Sequence, residues 1–268
     1  MSPPRTLATL EGYAVEGGYD RPGGPTTCFA PSGALGRHGV PGVADELWRD
    51  YEDVLDLAAT LGLDGVRVTL EWARLAPERD VFDDEAADRY RRALRHARER
   101  GLWVSAVLVD RTWPAWAGQE AWLLPWVEPV FARHAQRTIE YFFELVDGFV
   151  AFSDADALVR RGFIEGVAPP WRRGAKDDAR AASANVARLE AGVRALAPEK
   201  MVRDYRVFEL DVDTEVLARA RGDETLEELH LRSLVRGAGP GASRAGLLAR
   251  HAGQWRVSAP EELLLVWR

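Results

Sequence analysis

"ELWRDYEDVLDLAATLGLDGVRVTLEWARLAP", residues 46–77, reads as one complete helix-to-strand unit. Trp48, Tyr51, Val54, Leu55, Ala58 and Leu61 recur at the three- and four-residue spacing of one buried face, which predicts a helix over residues 47–61. Gly62 stops it. Residues 65–72 then read as a strand that is largely apolar on both faces, a pattern that needs cover on both sides and so points to a parallel sheet flanked by helices.

The same alternation extends in both directions. Residues 6–15 read as a first strand, followed by a Gly- and Pro-rich loop over 16–42. Downstream, a helix over 83–100 carries Asp and Glu in its first turn and Arg in its last, as the helix dipole favours, and Gly101 ends it. Strands at 102–109, 148–152 and 205–212 alternate with helices at 125–145 and 177–196. Past residue 213 the pattern weakens to a helix over 215–235, a Gly-rich loop over 236–243, a short helix over 245–251 and a last strand over 262–267. The fold class is α/β, a shortened (β/α) TIM-barrel-like domain of about six strands where a closed barrel has eight. No linker divides the chain, so residues 1–268 form one domain.

Composition narrows the function. With 47% hydrophobic residues the chain can build a sizeable core, and a net charge of −7 lacks the basic face that nucleic acid requires. The lone cysteine, Cys28, allows no internal disulfide, there is no apolar stretch of bilayer-spanning length, and the first residues carry no apolar leader. A cytoplasmic protein with no membrane partner is expected, acting on a small molecule. Abundant Ala and Arg with scarce Lys suggest a GC-rich bacterial genome.

The quoted stretch resembles the family 1 glycoside hydrolases, the β-glucosidases and their relatives, whose pattern runs Y-x-E-D, then L-G-x-x-x-x-R-x-S-x-x-W-x-R. "YAVEGGYDRPGGP" is similar to the family's Y-Q-x-E-G segment, which places Glu16 among the ligand-side residues. "VLVDRTWP" is similar to Y-H-W-D-x-P, "FVAFSDADAL" to T-F-N-E-P and "GFIEGVAPP" to G-Y-x-x-G-x-x-A-P-G. The resemblance covers roughly residues 10–212. It implies a (β/α)₈ barrel and retaining hydrolysis, which needs two carboxyl groups about 5–5.5 Å apart.

The resemblance also implies altered chemistry. The family's nucleophile lies in a T-E-N-G segment for which these residues have no counterpart, its acid/base glutamate aligns with Asp154, and its sugar-binding histidine aligns with Asp110. Arg67, Trp72 and Arg74 match the family pattern. Strand parity puts Thr69 and Glu71 on the Arg67 face, so Glu71, in place of a family serine, joins the pocket. Asp110, Asp154, Glu209 and Asp211 fall at or near strand ends, with Arg111 and Arg67 to offset their charge and Trp113 to wall the cleft. Crowded carboxylates raise at least one pKa and supply a general acid or base. The expected catalytic residues are Asp154, Asp110 and Glu71, acting on a sugar-like molecule without the covalent nucleophile. The alternative is a barrel that binds such a ligand, or a protein, without turnover.

Blander roles stand beside these. Asp154 and Asp156 suit a helix cap as well as catalysis, and Arg67 suits a structural ion pair. Trp48 and Trp103 read as core, while Trp113, Trp116, Trp122 and Trp126 crowd the loop after the third strand. His96, His134 and His230 lack metal-type spacing, so no cofactor is expected, with a carboxylate-only Mg²⁺ or Ca²⁺ site at the mouth as the single alternative. Six strands leave open sheet edges, to be covered by the 262–267 strand or by a second copy in a homodimer.

Overall fold

The computed structural model describes residues 7–19, 23–29 and 47–201, together with the backbone of three short strands beyond them. The chain runs β1 (Leu7–Leu10), α1 (Gly12–Val15), α2 (Leu47–Thr60), β2 (Gly65–Thr69), α3 (Trp72–Leu75), α4 (Asp84–Glu99), β3 (Trp103–Val109), α5 (Val127–Phe142), β4 (Gly148–Phe152), α6 (Ala155–Val159) and α7 (Lys176–Leu196). Three strands complete it: β5 (Val207–Glu209), β6 (Arg256–Ala259) and β7 (Leu263–Val266).

The sheet order is β4-β3-β2-β1-β6-β7-β5. Strands β1 to β4 are parallel and joined through helices, the repeating unit of a barrel. One face of these strands, carrying Ala8, Leu10, Val66, Val68, Ala106 and Leu108, packs on the helices and forms the core. The other face carries a level row of polar residues, because Thr9 pairs with Arg67 and Arg67 with Ser105, all of them buried. Side chains alternate along each strand, so Thr69 shares that face two residues beyond Arg67. This is the interior side of the barrel wall.

The architecture is the shortened, TIM-barrel-like α/β fold the sequence implies, with differences in detail. The first strand stops at Leu10, where its ladder with β2 ends. Ala14 and Val15 then donate to the Glu11 carbonyl at 3.0 and 3.1 Å, and the chain turns helical. The second strand likewise stops at Thr69, and the Glu71 carbonyl accepts from Arg74 and Leu75 at 3.0 Å each. An additional strand, β6, runs antiparallel to β1 and to β7, so the chain's C-terminal hairpin covers the β1 edge. Met201 pairs in parallel with Phe149 at the opposite edge. The few residues from Met201 to Val207 span at most about 20 Å, which keeps the two outer edges of the sheet near each other, as closure requires. The elements expected over 215–235 and 245–251 lie outside the described residues.

At Gly65 the neighbouring strands β1 and β3 leave no room for a side chain. A Cβ there would stand 2.1 Å from the Trp103 carbonyl oxygen and 2.9 Å from Leu7 Cδ2, and the first of these is backbone that cannot step aside. Gly65→Ala is expected to destabilise the protein by roughly 1–3 kcal/mol or more, read as a lower midpoint in urea unfolding.

Candidate active site

The loop after β1 delivers Glu16 into the interior, where it meets side chains from three helices. Its Oε1 accepts from the Tyr51 and Tyr90 hydroxyls, each at 2.6 Å, and its Oε2 accepts from Arg74 Nε at 2.6 Å and the Tyr19 hydroxyl at 3.1 Å. Four donors fill about the four lone-pair sites a carboxylate offers. Burial, reinforced by Glu16, raises all three tyrosine pKa values well above normal, so each hydroxyl stays a donor. Arg74 also donates to the Gly17 carbonyl, and its guanidinium lies 4.2 Å from the centre of Trp48. Burial lowers the Arg74 pKa, but Glu16, Tyr19 and Tyr90 outweigh it and hold the charge in place.

Glu71 caps α3 beside this hub. Its carboxyl accepts from the Thr112 hydroxyl at 2.7 Å, and its backbone N–H donates to the Tyr90 oxygen at 3.1 Å. Burial, then the nearby Glu16 charge, pushes its pKa up to about 7.

A second cluster lies at the strand ends. Glu11 follows β1 and is 4% exposed, and Arg111 from the end of β3 reaches it at 3.0 Å. Burial and the neighbouring Asp110 push Glu11 up to about 8, against the pull of Arg111, Arg67 and Arg161. Arg67 is thus near enough to Glu11 for its charge to act on it. Beside them is a cleft of about 100 Å³, lined among others by Asp110, Arg111, Trp113, Ser153, Asp154 and Arg161.

The sequence candidates divide accordingly. Asp110, Arg111, Asp154 and Trp113 line the cleft, and Arg67 does not, lying buried on the interior face of β2. The Asp154 carboxyl accepts from the Ala157 N–H at 3.0 Å and caps α6, and its φ of +56° is a left-handed conformation that Asp tolerates better than most residues. Glu16 and Glu71 sit in the adjoining buried hub. Trp72 is 1% exposed and packs on Trp116, Trp122 and Phe131, away from the cleft. Of the four loop tryptophans only Trp113 lines the cleft. The Glu209 side chain and Asp211 lie outside the described residues. Among the described residues, no group of three or more His, Cys, Asp or Glu side chains is arranged to hold a metal ion, and no helix is long and apolar enough to cross a membrane. Glu11 was not among the candidates. Its signal was parity, two residues beyond Thr9 at the end of a strand, but residues 6–15 read as a continuous strand that buried the position mid-element.

No protein-family model matches the chain. Among curated proteins, the β-glucosidase-like SFR2 of Oryza sativa subsp. japonica is 27% identical over 171 residues, which is 60% of this chain and 26% of that one. The β-glucosidase of Agrobacterium sp. is 24% identical over 148 residues, 54% of this chain and 32% of that one. The chain thus matches about a quarter to a third of the length of these relatives. Among solved structures, Fpglu1 of a Fervidobacterium superposes with a TM-score of 0.67 at 18% identity over 81% of this chain and 57% of that one. A family 1 β-glucosidase from Thermotoga maritima superposes with a TM-score of 0.66 at 18% identity, over 77% of this chain and 49% of that one.

Two outcomes follow from the hub. Glu16→Gln would turn an amide N–H₂ toward hydroxyl and guanidinium donors and leave Arg74 unpaired, and is expected to cost roughly 3–5 kcal/mol in chemical denaturation. For Glu71, a folded pKa of about 7 against an ordinary 4.5 means that the folded chain binds more protons between those values. Its contribution to stability therefore falls as pH rises through that window and is flat above it. Glu71→Gln, compared with wild type in melts from pH 4.5 to 8, is expected to remove on the order of 1–3 kcal/mol of that decline. Measured in fold and in sequence, this chain is similar to the β-glucosidases of glycoside hydrolase family 1, matching part of their length.

Proposed function

We propose that the strand-end cluster performs general acid/base chemistry on a glycoside or another sugar-like small molecule, without a covalent glycosyl intermediate. The observation that carries this reading is Glu11, a buried carboxyl pushed up to about 8 beside Asp110 and between Arg67 and Arg111, next to an open cleft. At neutral pH Glu11 keeps its proton and donates it to the departing oxygen as the glycosidic C–O bond breaks. Asp110 takes a proton from the water whose oxygen forms the new bond to carbon. Arg67 and Arg111 steady the negative charge that Glu11 gains. Relatives named β-glucosidase, and a galactolipid galactosyltransferase from Arabidopsis thaliana that is 25% identical over 126 residues, support a sugar-bearing ligand.

The engagement of Asp154 as a helix cap supports a second reading, in which the cleft binds a sugar-like ligand without turnover. Hydrolysis of a panel of 4-nitrophenyl glycosides separates the two. Under the first reading, Glu11→Gln and Asp110→Asn each lower kcat/KM roughly 100-fold or more, and the wild-type rate declines above about pH 8, where Glu11 loses its proton. Turnover that neither substitution reduces would sink the acid/base assignment. Saturable heat of binding for a monosaccharide with no turnover would favour the second.

A further inference from the structure

A second, larger cavity lies outside the barrel mouth, against α3 and α5, and measures about 230 Å³. Its walls are aromatic and aliphatic: Trp72, Trp116, Phe82 and Val130. Arg133 and Arg137 stand at its rim, with Asp80 as the only acid in the lining, so the charged lining residues sum to +1. The Arg137 guanidinium lies 4.2 Å over the Phe82 ring, a cation–π contact, and also pairs at 3.6 Å with the well-exposed Asp84, an ion pair that is cheap to open. Arg133 pairs with Asp80 at 2.7 Å, but both are more than half exposed, and an exposed pair of this kind is cheap to open.

His134 carries the second observation. It lines the cavity, is 8% exposed, stacks on Trp72 at 5.1 Å, and its Nε2 has no hydrogen-bond partner among the described residues. The Trp72 indole N–H, in the same wall, is also buried and unpartnered among them. Both atoms are closed off behind the apolar wall, so the charged donors within an occupant's reach are the two arginines. Burial pushes His134 down to about 3, so the imidazole is neutral and adds no charge.

We infer that this cavity is a binding site for a small aromatic carboxylate, its ring between Trp72, Trp116 and Phe82 and its anionic group on Arg133 and Arg137. Size agrees: a cavity of about 150 Å³ accommodates a benzene, so this one takes a fused bicycle or a ring with a short acidic arm. The carboxylate takes over Arg133 from Asp80 and neutralises the lining. The site is independent of the barrel mouth.

The test titrates wild-type protein with naphthalene-2-carboxylate and with its neutral carboxamide, followed by tryptophan fluorescence and calorimetry. Saturable one-to-one binding of the acid is expected, at least fivefold tighter than the amide. An Arg133→Gln/Arg137→Gln variant should bind the acid at least tenfold more weakly and lose the preference over the amide. Val130→Trp, which fills the cavity, should abolish binding while the melting temperature stays near wild type, and Asp110→Asn at the mouth should leave binding unchanged. No saturable binding, or binding indifferent to both the arginine and the Val130 variants, would overturn the assignment and leave the cavity to water.

Discussion

The described fold turns on one buried carboxylate. Glu16 enters on the loop after β1 and is held by Tyr51 of α2, Arg74 of α3 and Tyr90 of α4, so a single group fixes three helices to the first strand. Its side chain is fully buried and that of Arg74 nearly so, which would make either charge costly alone. The pair is tolerable because every acceptor site on the carboxylate is used. It also fixes direction, since the donors approach from different sides and admit one placement of each helix.

This hub sets the character of what stands next to it. Glu71 lies close to Glu16 with one hydroxyl donor, Thr112, and its burial and the Glu16 charge together hold its proton toward neutral pH. Tyr90 links the two, accepting from the Glu71 backbone and donating to Glu16. At the mouth the same physics repeats with different partners: Glu11 is buried beside Asp110 and ringed by arginines. Glu16, Tyr51 and Arg74 are scaffolding, held to one another in the buried hub, whereas Asp110 and Asp154 line the cleft.

Much of the wall was legible in the chain. The helix over residues 47–61 and the strand over 148–152 lie where their periodicities put them, and Asp83 caps α4 through the Ala86 N–H at 2.9 Å. Parity placed Arg67 on the interior face, which the alignment of Thr9, Arg67 and Ser105 across three strands confirms. The strand ends were less legible. Residues 11–15 and 71–75 carry strand-like composition, but once the ladder partners run out, local helical hydrogen bonds replace it. That is why Glu11 escaped notice and why Glu71 turned into a helix cap beside the hub.

By itself the sequence determined the alternation of helix and strand, the likeness to a barrel family and the inward direction of Arg67, because these depend on local periodicity and on motifs contiguous in the chain. Only the tertiary structure decided which acids come together and with what partners. Glu11 and Arg111 are 100 residues apart and meet across three strands, while Asp154 spends its carboxyl on its own helix three residues on. A carboxyl's proton affinity is set by burial and by the charges packed around it, and neither quantity exists until the strands are side by side.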